Sequence, residues 1–500
     1  MTPALRFAFG LFWMSSAALA ADGPASLPRS TPESQGVPSS AILGFVEAAD
    51  TKLDSLHSLM IIRHGKVVAE GWWTPYSAGS RHELYSLSKS FTSTAVGLAI
   101  AEGKMTVNDS VLAAFSEDAP SDPSTNLKAM RVRDLLRMSA GHQAEVKLSA
   151  DAISAKAFLA HPVPFKPGTH FLYNTPATFM ASAMVQKATG QSVLEYLKPR
   201  LFEPLGITDP TWDANFQGIS LGGYGLSLKT EDIAKFGQLL LQKGKWDGKQ
   251  LVPAAWVEEA TRLQTSNGSN PNSDWEQGYG YQFWRCRNGA YRGDGAFGQY
   301  CVVMPEKDAV IAITSGLSDL PAVLNLVWNI LLPAFGADAL ADAPEVQGQL
   351  RAKLGSLTIR KPKGPASSST LAEVAGKTYA FPSNAKKLES ARVEPGTNPG
   401  ELTIVTRTDG QEQRLAVGTG EWKKGTIPAP PSAGITPANG VRNVAAVGAW
   451  TADDTYTARV VLVETPFVAT VTLRFAGDEL FYDSQINVRG KDPQLVGRKQ

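Results

Sequence analysis

Hydrophobic and polar positions alternate along some segments of this chain and repeat with helical spacing along others. The segment HSLMIIRHGKVVAEGWW alternates on both sides of His64 and Gly65, which predicts a β-hairpin turning at those residues. The middle of the chain is helix-like instead, in VRDLLRMSAGH, PATFMASAMVQKATG, SVLEYLKPRLFEPLGI and TEDIAKFGQLLLQKG. Strand patterns return between Gly278 and Thr314. We therefore predict an α+β fold in which strands from both ends of a domain share one antiparallel sheet.

The pattern changes near residue 360. Residues 360–370 read RKPKGPASSST and are rich in proline, glycine and serine, which predicts a linker. Beyond them, β-branched and aromatic residues alternate with polar ones, which predicts an antiparallel all-β domain. We assign a main domain to residues 21–345, a linker to 346–370 and a C-terminal β domain to 371–500. The C-terminal domain carries no visible catalytic set, so a supporting, substrate-gating or partner-contacting role is open to it.

The N-terminal segment MTPALRFAFGLFWMSSAALA combines one Arg6, a short apolar run and an Ala-x-Ala ending. This pattern is typical of a cleavable secretory signal, which we place at residues 1–20 with cleavage after Ala20. A membrane anchor is the competing interpretation, but the apolar run is too short to span a bilayer. We expect an exported protein, periplasmic or secreted, with no stable membrane span.

Charge and cysteine content narrow the function classes. The chain has 48 basic and 47 acidic residues, so loss of Arg6 with the signal takes the formal net charge from +1 to 0. With no basic cluster in the mature chain, nucleic acid and anionic membranes are not expected partners. Two cysteines exclude a cysteine-based zinc site. For Cys286 and Cys301, a single disulfide bond and two buried free thiols both stay open.

Candidate chemistry lies in the string YSLSKSFTS, where Ser86 stands three residues before Lys89. Positions i and i+3 share a helix face, so the lysine amine can reach the serine hydroxyl and act as its base. The small and apolar residues that follow predict a buried helix opening at Ser86. The structural alternative is a serine N-cap with a solvated lysine. The same spacing recurs at Ser383 and Lys386, where the neighbouring residues indicate a turn.

The order of motifs resembles the serine β-lactamase and penicillin-binding-protein superfamily, most closely its class C-like branch of esterases and 6-aminohexanoate (nylon) oligomer hydrolases. The resemblance covers residues 35–335. It rests on the Ser86 and Lys89 pair followed in order by DLLRMSAG, FLYNTPATFM, FEPLGI, GGYGLSLKTEDIAKFG and YRGDGAFGQ. It implies an antiparallel sheet flanked by helices, with a helical subdomain as the other wall of a cleft.

The second motif of this superfamily is a tyrosine followed two residues later by an asparagine, and Tyr173 matches the tyrosine. The resemblance implies that its phenol faces Ser86 and Lys89, where it could become a phenolate or relay a proton. A core tyrosine with a satisfied hydroxyl is the structural alternative. Thr175 occupies the usual asparagine position and Asn174 precedes it. We treat both as possible substrate contacts.

The third motif is normally Lys-Thr-Gly or His-x-Gly with a small residue after it, and residues 293–296 read GDGA instead. The cation that holds a substrate carboxylate in relatives is therefore missing at Gly293. Strand alternation points Arg292 to the opposite face. Asp294 is either a possible substrate contact that favours an amine-bearing substrate, or a solvent-exposed acid without a role.

The resemblance implies a serine hydrolase that cleaves a small-molecule ester or amide through an acyl-enzyme on Ser86. Lys89 would act as the base and Tyr173 as the proton shuttle. At the third-motif strand, Gly295 lets the backbone approach the substrate, and the Ala296 and Ser86 N–H groups would form the oxyanion hole. No metal or organic cofactor is required.

Two alternatives stay open at this point. The first is a D,D-peptidase or β-lactamase acting on cell-wall peptides or β-lactams, which export favours and Gly293 disfavours. The second is a non-catalytic binding protein that keeps the penicillin-binding fold. The intact set of Ser86, Lys89 and Tyr173 argues against it, because a binding role does not require all three.

Overall fold

The computed structural model describes residues 26–149, 152–428 and 440–500. The predicted signal peptide at 1–20 lies outside this range, so cleavage after Ala20 and export stay predictions. Within the described residues, no helix is both long and apolar enough to cross a membrane.

The strands of the main domain confirm the predicted antiparallel sheet. They are β1 (Leu56–Arg63), β2 (Lys66–Trp72), β3 (His82–Glu83), β4 (Thr211–Trp212), β5 (Leu226–Leu228), β6 (Lys245–Trp246), β7 (Lys249–Gln250), β8 (Trp284–Arg285), β9 (Tyr291–Gly295), β10 (Gln299–Met304) and β11 (Ala309–Ser315). The described residues form a six-stranded sheet in the order β2-β1-β11-β10-β9-β8, together with the small sheets β3-β5-β4 and β6-β7. The predicted hairpin turns at His64 and Gly65, whose φ angles are 51° and 73°.

Helices cover both faces of the six-stranded sheet. The α-helices of the described residues are α1 (Ser39–Lys52), α2 (Ser88–Ala101), α3 (Val111–Ala114), α4 (Thr125–Ala129), α5 (Val132–Leu136), α6 (Ala155–Leu159), α7 (Thr175–Thr189), α8 (Val193–Leu197), α9 (Thr230–Leu241), α10 (Ala254–Thr261), α11 (Leu320–Leu326), α12 (Leu332–Ala334), α13 (Pro344–Gly355) and α14 (Ser369–Val374). The last of them, α14, packs against the core of the C-terminal domain instead.

The strand β1, which is paired on both sides, shows how the two faces of the sheet are covered. Met60 and Ile62 belong to the core that contains α2, α7 and α9, whereas Leu59 and Ile61 belong to the core that contains α1 and α11. Because both faces are buried, β1 is apolar at consecutive positions. At the other end of the sheet β8 is the edge strand and β9 is its neighbour, and the candidate site is built there.

The cysteines lie on opposite faces of this sheet. Cys286 is in the core on the α1 side and Cys301 is in the core on the α9 side. Both are buried free thiols. The disulfide alternative is therefore wrong, because the sheet separates the two sulfur atoms.

The C-terminal residues form the predicted all-β domain. Its strands are β12 (Tyr379–Ala380), β13 (Leu388–Pro395), β14 (Leu402–Thr408), β15 (Gln411–Thr419), β16 (Lys423–Pro428), β17 (Val441–Ala452), β18 (Thr455–Leu462), β19 (Val468–Ala476), β20 (Glu479–Ile486) and β21 (Leu495–Lys499). The described residues form a ten-stranded antiparallel sheet in the order β15-β14-β13-β12-β21-β20-β19-β18-β17-β16, and a short parallel pairing joins β15 to β17. The inner face has a core of its own that contains Trp450 and Phe475.

The segment assigned to a linker is partly helical. Helix α13 (Pro344–Gly355) occupies its start, and Leu350 of this helix is buried in the same core as α1. Farther along, the Ile359 N–H donates to the Thr74 carbonyl over 2.9 Å. These contacts attach the chain to the main domain up to about residue 359, while the division into domains stays a prediction.

Candidate active site

The turn that carries Ser86 precedes the helix rather than belonging to it. Residues Tyr85–Leu87 form a 3₁₀ turn and α2 begins at Ser88, so the expectation that the helix opens at Ser86 is off by one short turn. Tyr85 has a φ of 49°, in the left-handed region that bulky residues rarely adopt. The Ser88 hydroxyl fixes the turn, because it donates to the Tyr85 carbonyl over 2.6 Å and accepts from the Leu226 N–H over 3.2 Å.

Lys89 points back at Ser86 from the first turn of α2. Its Nζ lies 3.0 Å from Ser86 Oγ and 3.4 Å from Thr175 Oγ1, and it donates to the Gly223 carbonyl over 2.7 Å. Only 1% of the residue is exposed. Burial lowers the pKa of Lys89 to about 7, against the smaller opposing effects of the negative charges on Glu145 and Asp294. At neutral pH a large fraction of this amine is therefore uncharged.

Gly223 is a site residue that sequence reasoning missed. A Cβ atom at this position would lie 2.7 Å from Thr175 Cγ2 and 3.4 Å from Lys89 Nζ, so only glycine lets the backbone carbonyl approach the amine. The signal was present in the string GGYG, whose two adjacent glycines indicate a close backbone approach.

Tyr173 completes the cluster around Ser86. Its ring centroid lies 5.0 Å from Lys89 Nζ, and its side chain interacts with Ser86. Burial raises the pKa of Tyr173 well above its usual value, and the interaction with Ser86 lowers it by less. The side chain is therefore a neutral phenol, which favours the proton-relay alternative over the phenolate.

An aromatic group surrounds Tyr173. Trp284 stacks on its ring at a centroid distance of 5.3 Å, and Tyr279 contacts both rings edge-on at 6.2 and 4.9 Å. Phe171 extends the group, 5.6 Å from Tyr279. The contacts of Tyr173 and Phe171 with Tyr279 and Trp284 join residues more than 100 positions apart, so no local pattern in the sequence indicated them.

Thr175 and Asn174 have different surroundings. Thr175 begins α7 beside Lys89, and its N–H donates to the Glu145 side chain over 3.0 Å. Asn174 is 1% exposed, with its Nδ2 3.3 Å from His142 Nδ1. The geometry therefore offers Thr175 to a ligand in the cleft and holds Asn174 in the core, where His142 also lies.

The third-motif strand β9 has no space for a cation at Gly293. A Cβ atom there would lie 2.2 Å from Leu87 Cδ1 and 2.9 Å from Ser90 Oγ. Arg292 points to the other face, as alternation predicted, where its guanidinium lies 4.6 Å from the Trp275 ring centroid. The carboxylate of Asp294 pairs with it at 2.6 Å.

This pairing corrects one alternative for Asp294. The residue is 8% exposed, so the interpretation of a solvent-exposed acid is wrong. Arg292 and Asp294 stand two positions apart on one strand and share a face, which is why they meet. The positive charge of Arg292 compensates Asp294, so this acid is a weak attractor for a substrate amine.

The end of β9 approaches the nucleophile turn directly. A Cβ atom at Gly295 would lie 2.1 Å from the carbonyl oxygen of Leu84, two residues before Ser86. Only glycine permits this contact between two backbones. The next residue, Ala296, therefore directly follows a backbone contact with the segment that leads into the serine turn.

A family model described as Beta-lactamase matches residues 48–327, more than half of the chain. The chain belongs to the beta-lactamase family. It is 26% identical over 294 residues to the 6-aminohexanoate-dimer hydrolase of Paenarthrobacter ureafaciens, which covers 52% of this chain and 73% of that protein. It is 29% identical over 128 residues to the lovastatin esterase of Penicillium rubens, covering 19% of this chain and 31% of that protein.

Among solved structures, one from Bacillus anthracis provisionally assigned as a 6-aminohexanoate-dimer hydrolase matches with a TM-score of 0.51 and 19% identity. The match covers 62% of this chain and 87% of that one. At this identity the likeness shows the fold alone. It agrees with the sheet and helices described above.

The second Ser-x-x-Lys pair lies outside the range matched by the beta-lactamase family model. Lys386 donates to Asp492 over 2.5 Å and to Ser484 Oγ over 2.6 Å, not to Ser383. Unlike Lys89, it sits at the surface of the C-terminal domain. The two Ser-x-x-Lys pairs therefore differ in the burial of the lysine and in the groups that it contacts.

Proposed function

We propose that this chain is a serine hydrolase that cleaves an ester or an amide through an acyl-enzyme on Ser86. The observation that carries the proposal is the 3.0 Å contact between Lys89 Nζ and Ser86 Oγ, made by a buried amine whose pKa is about 7. Buried lysines without a carboxylate partner are rare in proteins. Those kept neutral by burial serve as bases.

Acylation begins with transfer of the Ser86 hydroxyl proton to Lys89. The Gly223 carbonyl can only accept a hydrogen bond, so it takes one N–H of the neutral amine and leaves the nitrogen lone pair to Ser86. Ser86 Oγ then bonds to the substrate carbonyl carbon. The negative charge that develops on the carbonyl oxygen is stabilised by the N–H groups of Ser86 and Ala296.

Tyr173 returns the proton to the leaving group. Its neutral phenol donates to the departing oxygen or nitrogen as the scissile bond breaks, and the Lys89 ammonium restores the phenol. Deacylation reverses these steps with water as the nucleophile. Water transfers a proton to the Tyr173 and Lys89 pair as its oxygen attacks the acyl carbon. The bond to Ser86 Oγ then breaks, the acid leaves and the proton returns to Ser86.

The substrate that fits this site best lacks a terminal carboxylate. Gly293 supplies no cation, and Arg292 is turned away and paired with Asp294. The stacked rings of Tyr173 and Trp284 favour an apolar group next to the scissile bond. The names of the two relatives, a 6-aminohexanoate-dimer hydrolase and a lovastatin esterase, support amides and esters alike as the bond that is cleaved. A 6-aminohexanoate dimer ends in a carboxylate, so the proposed substrate shares its amide bond but not this end group.

Intact mass spectrometry after treatment with a fluorophosphonate probe tests the proposal. Wild-type protein is expected to gain one adduct, and Ser86→Ala and Lys89→Ala to gain none. Ser383→Ala is the matched control, because it removes the serine of the other Ser-x-x-Lys pair and should label like wild type. A folded wild-type protein without an adduct would contradict the proposal and favour a non-catalytic binding protein.

Substrate profiling then separates the hydrolase classes. We expect turnover of p-nitrophenyl esters and amino-amide oligomers to exceed turnover of β-lactams. Faster hydrolysis of β-lactams or of D-alanyl-D-alanine peptides would replace the proposal with the β-lactamase or D,D-peptidase alternative.

A further inference from the structure

The C-terminal β domain contacts the nucleophile turn through the loop between β18 and β19, residues 463–467, which we call the wall turn. The carbonyl of Glu464 accepts a hydrogen bond from the Glu83 N–H over 2.8 Å. The carbonyl of Thr465 accepts from the Tyr76 hydroxyl over 2.9 Å. Since Glu83 is three residues before Ser86, the wall turn is bonded to the strand that leads into the catalytic turn.

A second contact fixes the other end of the wall turn. A Cβ atom at Gly316 would lie 2.0 Å from the Pro466 carbonyl oxygen, so the backbones of the two domains touch here. Asn487 Nδ2 donates to both carbonyls, to Gly316 over 2.7 Å and to Pro466 over 2.9 Å. One residue farther, the Leu317 N–H donates to the Phe297 carbonyl over 2.9 Å. This links the wall turn to the residue after Ala296.

An aromatic chain joins the wall turn to both sides of the proposed oxyanion hole. Phe467 contacts Phe297 edge-on at a centroid distance of 5.8 Å, and Phe297 contacts Tyr85 edge-on at 5.2 Å. Tyr85 directly precedes Ser86, and Phe297 directly follows Ala296. The two N–H groups proposed to bind the oxyanion are therefore each adjacent to a ring of this chain.

Both rings belong to residues in an unfavourable backbone conformation. The φ angle is 49° at Tyr85 and 67° at Phe297. Aromatic residues adopt positive φ only where surrounding contacts hold them there. Phe467 is 2% exposed and supplies the contact that closes the chain from the C-terminal side.

We infer that Phe467 is a positioning residue for the oxyanion hole, so that the C-terminal β domain forms part of the catalytic centre. This inference rests on the proposed function. Phe467 touches no reacting atom. It acts through Tyr85, whose backbone torsions set the direction of the Ser86 N–H, and through Phe297, whose ring and carbonyl contacts hold the residue next to Ala296 in place. Misplacement of such donors by an ångström lowers the rate by about a hundredfold.

The test compares Phe467→Ala with Phe475→Ala in the full chain, using a p-nitrophenyl ester. Phe475 is equally buried in the C-terminal domain but contacts Tyr379 and Trp450, far along the sheet from the wall turn. In Phe467→Ala we expect kcat to fall about 10-fold to 100-fold with KM within twofold of wild type. The midpoint of the pH–kcat profile should stay in place, because Lys89 is untouched. In Phe475→Ala we expect unchanged kcat per folded molecule and a lower Tm.

Should Phe467→Ala not fold, Asn487→Ala takes its place, because it loosens the wall turn without removing a ring; the same loss of kcat is expected. If wild-type protein is labelled by the fluorophosphonate probe but kcat is unchanged in the variant, the inference about Phe467 is overturned while the proposed function stands. A rise in KM at constant kcat would also overturn it, since that indicates a substrate contact. A wild type that takes no probe at Ser86 would overturn the proposed function, and the inference with it.

Discussion

Replacing Glu145 with glutamine changes the charge near Lys89 without removing a hydrogen-bond acceptor. The Glu145 side chain accepts the Thr175 N–H, and a glutamine carbonyl can do the same. Its negative charge raises the pKa of Lys89, against the larger lowering by burial. The variant should therefore lower the pKa of Lys89 further and move the rise of activity with pH to lower pH.

Burial lowers the pKa of Lys89 far enough that the rise of activity with pH falls in a measurable range. An amine with the ordinary lysine pKa of 10.5 is about 0.03% neutral at pH 7, whereas one with a pKa of about 7 is about half neutral. The difference corresponds to about 5 kcal/mol of preference for the neutral form. Below the midpoint the fraction of competent base, and with it kcat/KM, should fall about tenfold per pH unit.

The assay is the pH dependence of kcat/KM for a p-nitrophenyl ester between pH 5 and 9. For wild type we expect a midpoint at about 7, and for Glu145→Gln a midpoint below it, so that the variant is the faster enzyme at pH 6. Glu117→Gln is the control, because Glu117 is an exposed acid paired with Lys187 and should not move the midpoint. An unchanged or higher midpoint in Glu145→Gln, or a flat profile in wild type, would refute the assignment of Lys89 as the base.

Two further changes test the packing around the site. Gly223→Ala places a methyl group 2.7 Å from Thr175 Cγ2 and should lower the rate of fluorophosphonate labelling at least tenfold, whereas Gly79→Ala, at a position with open space, should label like wild type. Burial lowers the pKa of His82 to about 4. Between pH 6.5 and pH 4 the unfolded chain therefore binds a proton at His82 that the folded chain does not bind. The free energy of unfolding should be highest above pH 6.5 and fall by about 3 kcal/mol towards pH 4. Urea unfolding at both pH values checks this, and His82→Gln should show a smaller fall than wild type.

The parts of the site that depend on local spacing could be predicted from sequence. Ser86 and Lys89 are three residues apart, so helical geometry alone brings their side chains together. The carbonyl that Lys89 also contacts belongs to Gly223, 134 positions away, and no periodicity indicates such a pairing. The start of α2 was placed one short turn early, because the positive φ of Tyr85 is imposed by tertiary contacts and not by its residue type.

Alternation of side chains along β9 predicts the positions of both Arg292 and Asp294. It placed Arg292 correctly on the face opposite Gly293, and the same rule puts Asp294 on the face of Arg292, where the two form a buried ion pair. The third-motif cation that is missing at Gly293 could not be restored by a single substitution. Leu87 and Ser90 occupy the space that a side chain at Gly293 would need. Restoring a lysine there would thus require repacking both the turn that carries Ser86 and the first turn of α2. The absence of a carboxylate-binding cation is therefore tied to the core itself, which supports a substrate that has no carboxylate to bind.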